Sequence, residues 1–136
     1  MQSRPQQQQP CPCGQQQAGR VLLFALCCGR WISGGAAAPD AEVLMRSRYT
    51  AFVLQDEPYL LATWHPRTRP AAAAWEPHTR WLGLEVRAHT GTDADHAQVE
   101  FVARCRQGSG QAVRLHERSR FVREEGRWYY VDGELL

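Results

Sequence analysis

The sequence predicts an α+β domain in which a curved antiparallel sheet wraps on N-terminal helices, and three observations carry that reading. Helix-spaced apolar residues follow a capping residue, Asp40. The apolar period falls to two after residue 80 and stays there to the end of the sequence. Finally, 136 residues suffice to bury one core and are too few for two independent ones.

Residues 1–10 are Gln-rich and hold Pro5 and Pro10, a composition that buries too little surface to order itself, so a disordered tail is expected. Residues 11–30 carry four of the five cysteines and form a small unit of their own. A short Gly- and Ala-rich linker ending at Pro39 leads into the main domain, taken as residues 37–136. From Ala41 to Gln55 apolar side chains lie on most sides of the helix, which predicts a largely buried element with Asp40 accepting from its first turn. Asp56-Glu57-Pro58 restarts a shorter helix, proline being tolerated in a first turn, and His65-Pro66 ends it. The Pro- and Ala-rich stretch to His78 reads as loop.

Strands follow. Leu82, Leu84 and Val86 alternate with Gly83, Glu85 and Arg87, and Thr90 to Asp95 reads as a turn. Val99, Phe101, Ala103 and Cys105 mark the inward side of the next strand, with Cys105 a buried core thiol. Gly108-Ser109-Gly110 and Glu125-Gly126 are hairpin turns that deliver two more strands, Val113 to Phe121 and Trp128 to Asp132.

Composition excludes several classes. The 16 basic residues, all arginine, stand against 14 acidic ones, so the chain lacks the net charge of a dedicated nucleic-acid binder. The longest apolar run, Val21 to Cys28, is far short of the roughly 20 residues that span a bilayer. Clustered cysteines favour a metal site in a reducing compartment over a disulfide framework, which makes the cytoplasm the expected location. Cys11, Cys13, Cys27 and Cys28 supply the four thiolates of a closed tetrahedral zinc site, and vicinal Cys27 and Cys28 would bridge each other only with strain. The alternative is a metal-free cluster of small buried side chains.

Cys11-Pro12-Cys13-Gly14 followed by Cys27-Cys28-Gly29 resembles the SEC-C zinc motif, although 13 residues separate the halves where that motif has about eight. Six further blocks, at 44–52, 63–66, 81–84, 101–104, 116–121 and 128–133, make the chain similar to the bacterial YchJ-like proteins from about Cys11 to Gly133. The resemblance implies a cone-shaped, cystatin-like fold of the nuclear transport factor 2 type, kin to ketosteroid isomerase and polyketide cyclases, and assigns no catalytic residue. Many such proteins carry a second SEC-C motif after the final Asp-Gly, which this sequence lacks.

Strand parity points polar groups inward. If Arg106 pairs with Ala112, Glu117 lies beside Phe101, with Ser119 and Phe121 on the same face; the Gly126 turn then sets Tyr130 opposite Phe121 and Asp132 opposite Ser119. Arg48, flanked along its helix by apolar residues, enters the interior too, and a pair with Glu117 is the expected way to bury both charges. Two readings follow for Arg48, Glu117, Ser119, Phe121 and Tyr130. They close into a satisfied polar network, or they line a pocket in which Asp132 or Glu117 acts as general base and Tyr130 or His65 donates a proton. The second requires a cavity of at least ~300 Å³ and a carboxylate without an arginine partner.

Three functions are therefore carried forward. The first is a non-enzymatic binding or adaptor protein, with a zinc knuckle as contact surface and the cone as scaffold or ligand pocket, its partner a protein or a small molecule. An isomerase, cyclase or dehydratase is the second. The third is an RNA contact along outward-facing Arg104, Arg114, Arg118, Arg120 and His116, against which Glu100, expected opposite Arg118, argues for a salt-bridged surface. Trp64, Trp75, Trp81 and Trp128 are read as core and rim. A homodimer through the open sheet face is compatible with the fold.

Overall fold

The structure, a computed structural model, describes residues 7–73 and 78–136. Its order is two short strands, β1 (Gln16–Gln17) and β2 (Arg20–Val21), a 3₁₀ turn at Phe24–Leu26, then α1 (Gly29–Ile32), α2 (Ala41–Leu54) and α3 (Glu57–Ala62). Four long strands complete it: β3 (Thr79–Asp93), β4 (His96–Gln107), β5 (Ala112–Glu124) and β6 (Arg127–Leu135). The long strands form one antiparallel meander in the order β3-β4-β5-β6, with the helices against one face.

Local chemistry sets the helix boundaries. Asp40 Oδ1 accepts from the Val43 amide at 2.8 Å and opens α2. Gln55 closes it in the left-handed region at φ 57°, and Asp56 at once caps α3 through the Tyr59 amide at 3.1 Å. The α2 helix is buried nearly all round, Leu44, Met45, Tyr49 and Leu54 sharing the interior with Ser47, Arg48 and Thr50. The polar three persist because each finds a partner; Ser47, for example, donates to the Leu44 carbonyl at 2.8 Å and meets the Tyr59 hydroxyl at 2.7 Å.

Sheet register follows the expected turns. Arg106 pairs with Ala112 and Phe101 with Glu117. The two-residue turn Glu125-Gly126 takes positive φ at both positions, 53° and 78°, the geometry that matches strand twist. Bulges curve the sheet, with register shifts between Trp81 and Gly83, Val86 and Ala88, and Gly91 and Asp93 in β3, and between Arg120 and Phe121 on the β5-β6 side. The first of these makes Leu82 the extra residue and turns Trp81 with Leu84 toward the core, so the regular alternation expected there fails.

Two expectations are corrected. Thr90 to Asp95 is mostly strand, since β3 runs to Asp93 and the turn is Ala94-Asp95, held by the Asp93 carboxylate accepting from the Asp95 amide at 2.8 Å. The expected disordered tail at residues 1–10 does not hold for its described part. The Gln7 and Gln9 carbonyls accept from Ala25 and Phe24 at 3.1 and 2.8 Å, a use of the backbone that composition does not reveal. Residues 1–6 and Trp75 lie outside the described residues.

Candidate functional site

The cysteine unit is a knuckle pressed on α2. β1 and β2 form the hairpin between its halves, so the 13 intervening residues fold back as a ribbon and bring both ends together. Cys11, Cys13, Cys27 and Cys28 are all free and buried, with their four Sγ atoms within 4.8 Å of one another. A tetrahedron of Zn–S bonds near 2.3 Å places its sulfurs about 3.8 Å apart, so the cage fits such an ion with little adjustment. Thiols this close interact strongly. Hydrogen bonding from Cys13, then Cys27 and Cys28, holds Cys11 far below the ordinary thiol range, while Cys28, hydrogen-bonded with Cys11 first, is held far above it.

Helix α2 reaches into this cage. Thr50 Oγ1 donates to Cys28 Sγ at 3.3 Å and lies 3.8 Å from Cys11 Sγ. Arg46 Nη1 donates to the Cys13 carbonyl at 3.3 Å, while its Nε pairs with Glu42 at 3.0 Å. Sequence reasoning missed both residues. The available signal was that positions 46 and 50, four apart and polar within a buried helix, share a face away from Met45 and Phe52.

On the other side of α2 the cone holds a cavity of about 400 Å³. Met45, Arg48, Tyr49 and Phe52 line it from the helix, and the inward side chains of β4 and β5 form the opposite wall. Along β5 the lining deepens from exposed Val113 through half-buried Leu115 and Glu117 to buried Ser119 and Phe121. Polar groups have therefore not closed into a solid network.

Glu117 and Arg48 share the cavity but not a bond. The Glu117 carboxylate receives a long hydrogen bond from Ser119 Oγ, 3.4 Å, and has no cationic partner among the described residues. Burial raises its pKa above the ordinary carboxylate value. Arg48 instead donates from Nη1 to the Leu60 carbonyl at 2.8 Å and to Thr63 Oγ1 at 2.7 Å, its guanidinium carbon lying 4.6 Å from the Tyr130 ring centre and 5.1 Å from that of Trp64. The expected Arg48–Glu117 pair is thus absent, because the C-terminal turn of α3 offers the guanidinium nearer acceptors. Tyr130 packs edge-on to Phe121, and burial followed by the nearby Glu117 charge raises its hydroxyl pKa.

Two other candidates fall outside the cavity. Asp132 pairs with Arg120, not Ser119, because the bulge makes Val131 an extra residue and reverses parity beyond Tyr130; its carboxylate accepts from Arg120 Nε at 2.6 Å on the outer face. His65 accepts from the Arg67 amide through Nδ1 and so presents Nε2–H to Glu124, 2.9 Å away at the rim of the β5-β6 turn. Neither lines the pocket. The inward position lost by Asp132 goes to Gly133, opposite Ser119. Cys105 is buried in the cavity wall, its pKa raised by that burial, and Trp64 and Trp81 line the cavity as well.

The outer arginines divide. Arg118 pairs with Glu134 at 3.2 Å and Arg120 with Asp132, while Glu100 turns to His116 at 2.6 Å, leaving a broken basic stripe. No helix among the described residues is long and apolar enough to cross a membrane.

A cone with a lined cavity and a four-cysteine knuckle on its helical flank defines a nuclear transport factor 2-like domain carrying a SEC-C-type unit. The model of the "YchJ, middle NTF2-like domain" family matches residues 40–133, and the chain belongs to that family. A UPF0225 protein of Polaromonas naphthalenivorans is 59% identical over 132 residues, covering 92% of this chain and 96% of that protein. Another, from Bordetella bronchiseptica, is 54% identical over 140 residues, 99% of each. Among solved structures, a SEC-C motif-containing protein from Rhodopseudomonas palustris superposes with a TM-score of 0.81 at 34% identity, covering 94% of this chain and 99% of the other. One from Psychrobacter arcticus gives 0.77 at 33% identity, with coverage of 93% and 82%.

Proposed function

We propose that the cone cavity is the working site of a small-molecule enzyme that moves a proton on a largely apolar substrate, in the class of isomerases, dehydratases and cyclases. The observation that carries this reading is Glu117: a half-buried carboxylate on the wall of a cavity of about 400 Å³, with a raised pKa and no arginine partner among the described residues. That combination places the proton affinity of a carboxyl group closer to neutrality, where it is useful as acid and base. Tyr130 is the neighbouring hydroxyl able to donate toward developing negative charge. The cysteine cage is read as a structural zinc site, Cys11, Cys13, Cys27 and Cys28 holding the ion and the ion bracing α2 from outside the cavity. A thiolate cage needs reduced sulfur, which supports a cytoplasmic location.

The test is deuterium exchange at the α-carbon of a panel of small ketones in heavy water. Exchange is expected with the wild type and with Asp132→Asn, and not with Glu117→Gln. Equal exchange in the wild type and Glu117→Gln would remove Glu117 from the chemistry.

A second reading, a non-catalytic adaptor, is favoured by the knuckle surface, where Val21 and Leu26 are 39% and 60% exposed and offer an apolar contact for a protein partner. Stoichiometric ligand capture without exchange would support it. The RNA reading is weakened by the carboxylates on Arg118 and Arg120.

A further inference from the structure

Arg48 carries a charge that the fold does not neutralise. The side chain is 6% exposed, and no carboxylate lies within ion-pair distance among the described residues. Its two hydrogen bonds both leave from Nη1, and both reach neutral acceptors. Burial lowers its pKa to about 10, which still leaves it cationic at neutral pH. A buried charge without a counter-charge is costly, and a satisfied structural role would be served more cheaply by a neutral donor.

The geometry shows where an anion would sit. The rings of Trp64 and Tyr130 lie against the guanidinium, at 5.1 and 4.6 Å from its carbon. Nη1 is taken, and among the described residues no acceptor is bonded to the Nε and Nη2 edge. Among the described residues, the fully enclosed donors without partners are the indole nitrogens of Trp64 and Trp128, and no Arg48 nitrogen is among them. Arg48 lines the cavity, so an acceptor for that edge would come from a molecule bound there. A single side-on edge of two N–H groups matches the two oxygens of one carboxylate. The remaining lining, chiefly Met45, Phe52, Trp81, Phe101 and Leu115, accommodates an apolar body and would leave a second negative charge unsolvated, which argues against a phosphate dianion.

We propose that the ligand of this cavity is a small aryl or alkyl monocarboxylic acid, its carboxylate seated on the Nε and Nη2 edge of Arg48 and its apolar body extending past Tyr130 toward Glu117. The inference rests on the cavity being the working site, and it adds the chemical class. Arg48 and Glu117 then have separate duties, one as anchor and the other at the reacting end. Tyr130 is near both, its ring centre 4.6 Å from the Arg48 guanidinium carbon and its hydroxyl pKa raised by burial and in part by the Glu117 charge.

The test is calorimetric titration of the full chain with matched pairs, 2-naphthylacetate against 2-naphthylacetamide and the corresponding phenylacetyl and octanoyl pairs. In the wild type the acids are expected to bind at least about tenfold more tightly than their amides. Arg48→Gln should lower acid affinity to that of the amide, Arg48→Lys should keep part of the preference, and Asp132→Asn, outside the cavity, should keep all of it. Because an Arg48 variant can weaken the α2–α3 contact, the wild-type comparison decides by itself. Acids and amides binding equally would overturn the anchor and leave the cavity reading intact. Failure of every pair to bind would overturn both.

Discussion

The Glu117 carboxylate occupies the space that a side chain at Gly133 would fill: Oε1 lies 2.7 Å from where a Cβ at 133 would stand, with Ser119 Oγ at 3.2 Å. The β6 bulge produces this relationship by turning residue 133 inward in place of Asp132. Gly133→Ala should therefore displace the carboxylate and leave the fold. The colliding atom ends a flexible side chain, and Gly133 is not among the glycines with positive φ. Stability should change by about 1 kcal/mol or less. Carbon-13 carboxyl shifts should report a Glu117 pKa moved back toward its ordinary range; an unmoved titration would show that the cleft left by glycine does not position the group.

Burial of Glu117 also has a sign in stability. Its folded pKa lies above the ordinary 4.5, so the folded state binds more protons than the unfolded one between those two values. Stability is unpenalised below 4.5 and falls as pH rises through the folded pKa. Glu117→Gln, which has no such proton to lose, should gain on the wild type across that window and hold a constant lead above it. Denaturant midpoints at a series of pH values check this, and a difference independent of pH would contradict the raised pKa.

How far these residues could be read beforehand depended on what a periodic pattern encodes. Turn chemistry at Gly108 and at Glu125-Gly126 fixed the pairing of Phe101 with Glu117 and of Phe121 with Tyr130, and alternation then carried Ser119 inward. Asp132 was misplaced because Tyr129, Tyr130 and Val131 are all good strand residues, and nothing in their order marks which of them the bulge absorbs. The Arg48 partner was missed for a different reason. Helical spacing says that the side chain enters the core, whereas the choice of the Leu60 carbonyl over Glu117 is made by how α3 docks. The cavity lay beyond periodicity altogether, being set by how closely α2 approaches the curved sheet.

Thr50 ties the cysteine cage to the helix that lines the cavity. Its hydroxyl donates to Cys28 Sγ, a hydrogen bond that stabilises a thiolate and orients it. Thr50→Val keeps the shape and removes the bond. Purified wild-type protein is expected to hold one zinc per chain, Cys13→Ser none, and Thr50→Val one zinc held roughly 10-fold more weakly in competition with a chromogenic chelator. Thermal melts should follow the same order. Equal chelator competition for Thr50→Val and wild type would confine Thr50 to packing.

Asp132 and Glu117 separate surface electrostatics from chemistry on neighbouring strands. The Asp132–Arg120 contact is short, 2.6 Å, but both side chains are nearly half exposed, at 48% and 43%, so solvent and side-chain entropy cancel most of its attraction. Asp132→Asn should therefore cost about 1 kcal/mol or less and leave ligand affinity and proton exchange unchanged. Glu117→Gln should reverse that pattern, keeping ligand affinity while proton exchange falls by two orders of magnitude or more, roughly what loss of one general acid-base group removes. The two variants can be compared side by side by urea titration and by α-proton exchange. Loss of exchange in Asp132→Asn with retention in Glu117→Gln would mean that the outward carboxylate reaches the substrate, and the parity reversal at Val131 would then have to be undone in solution.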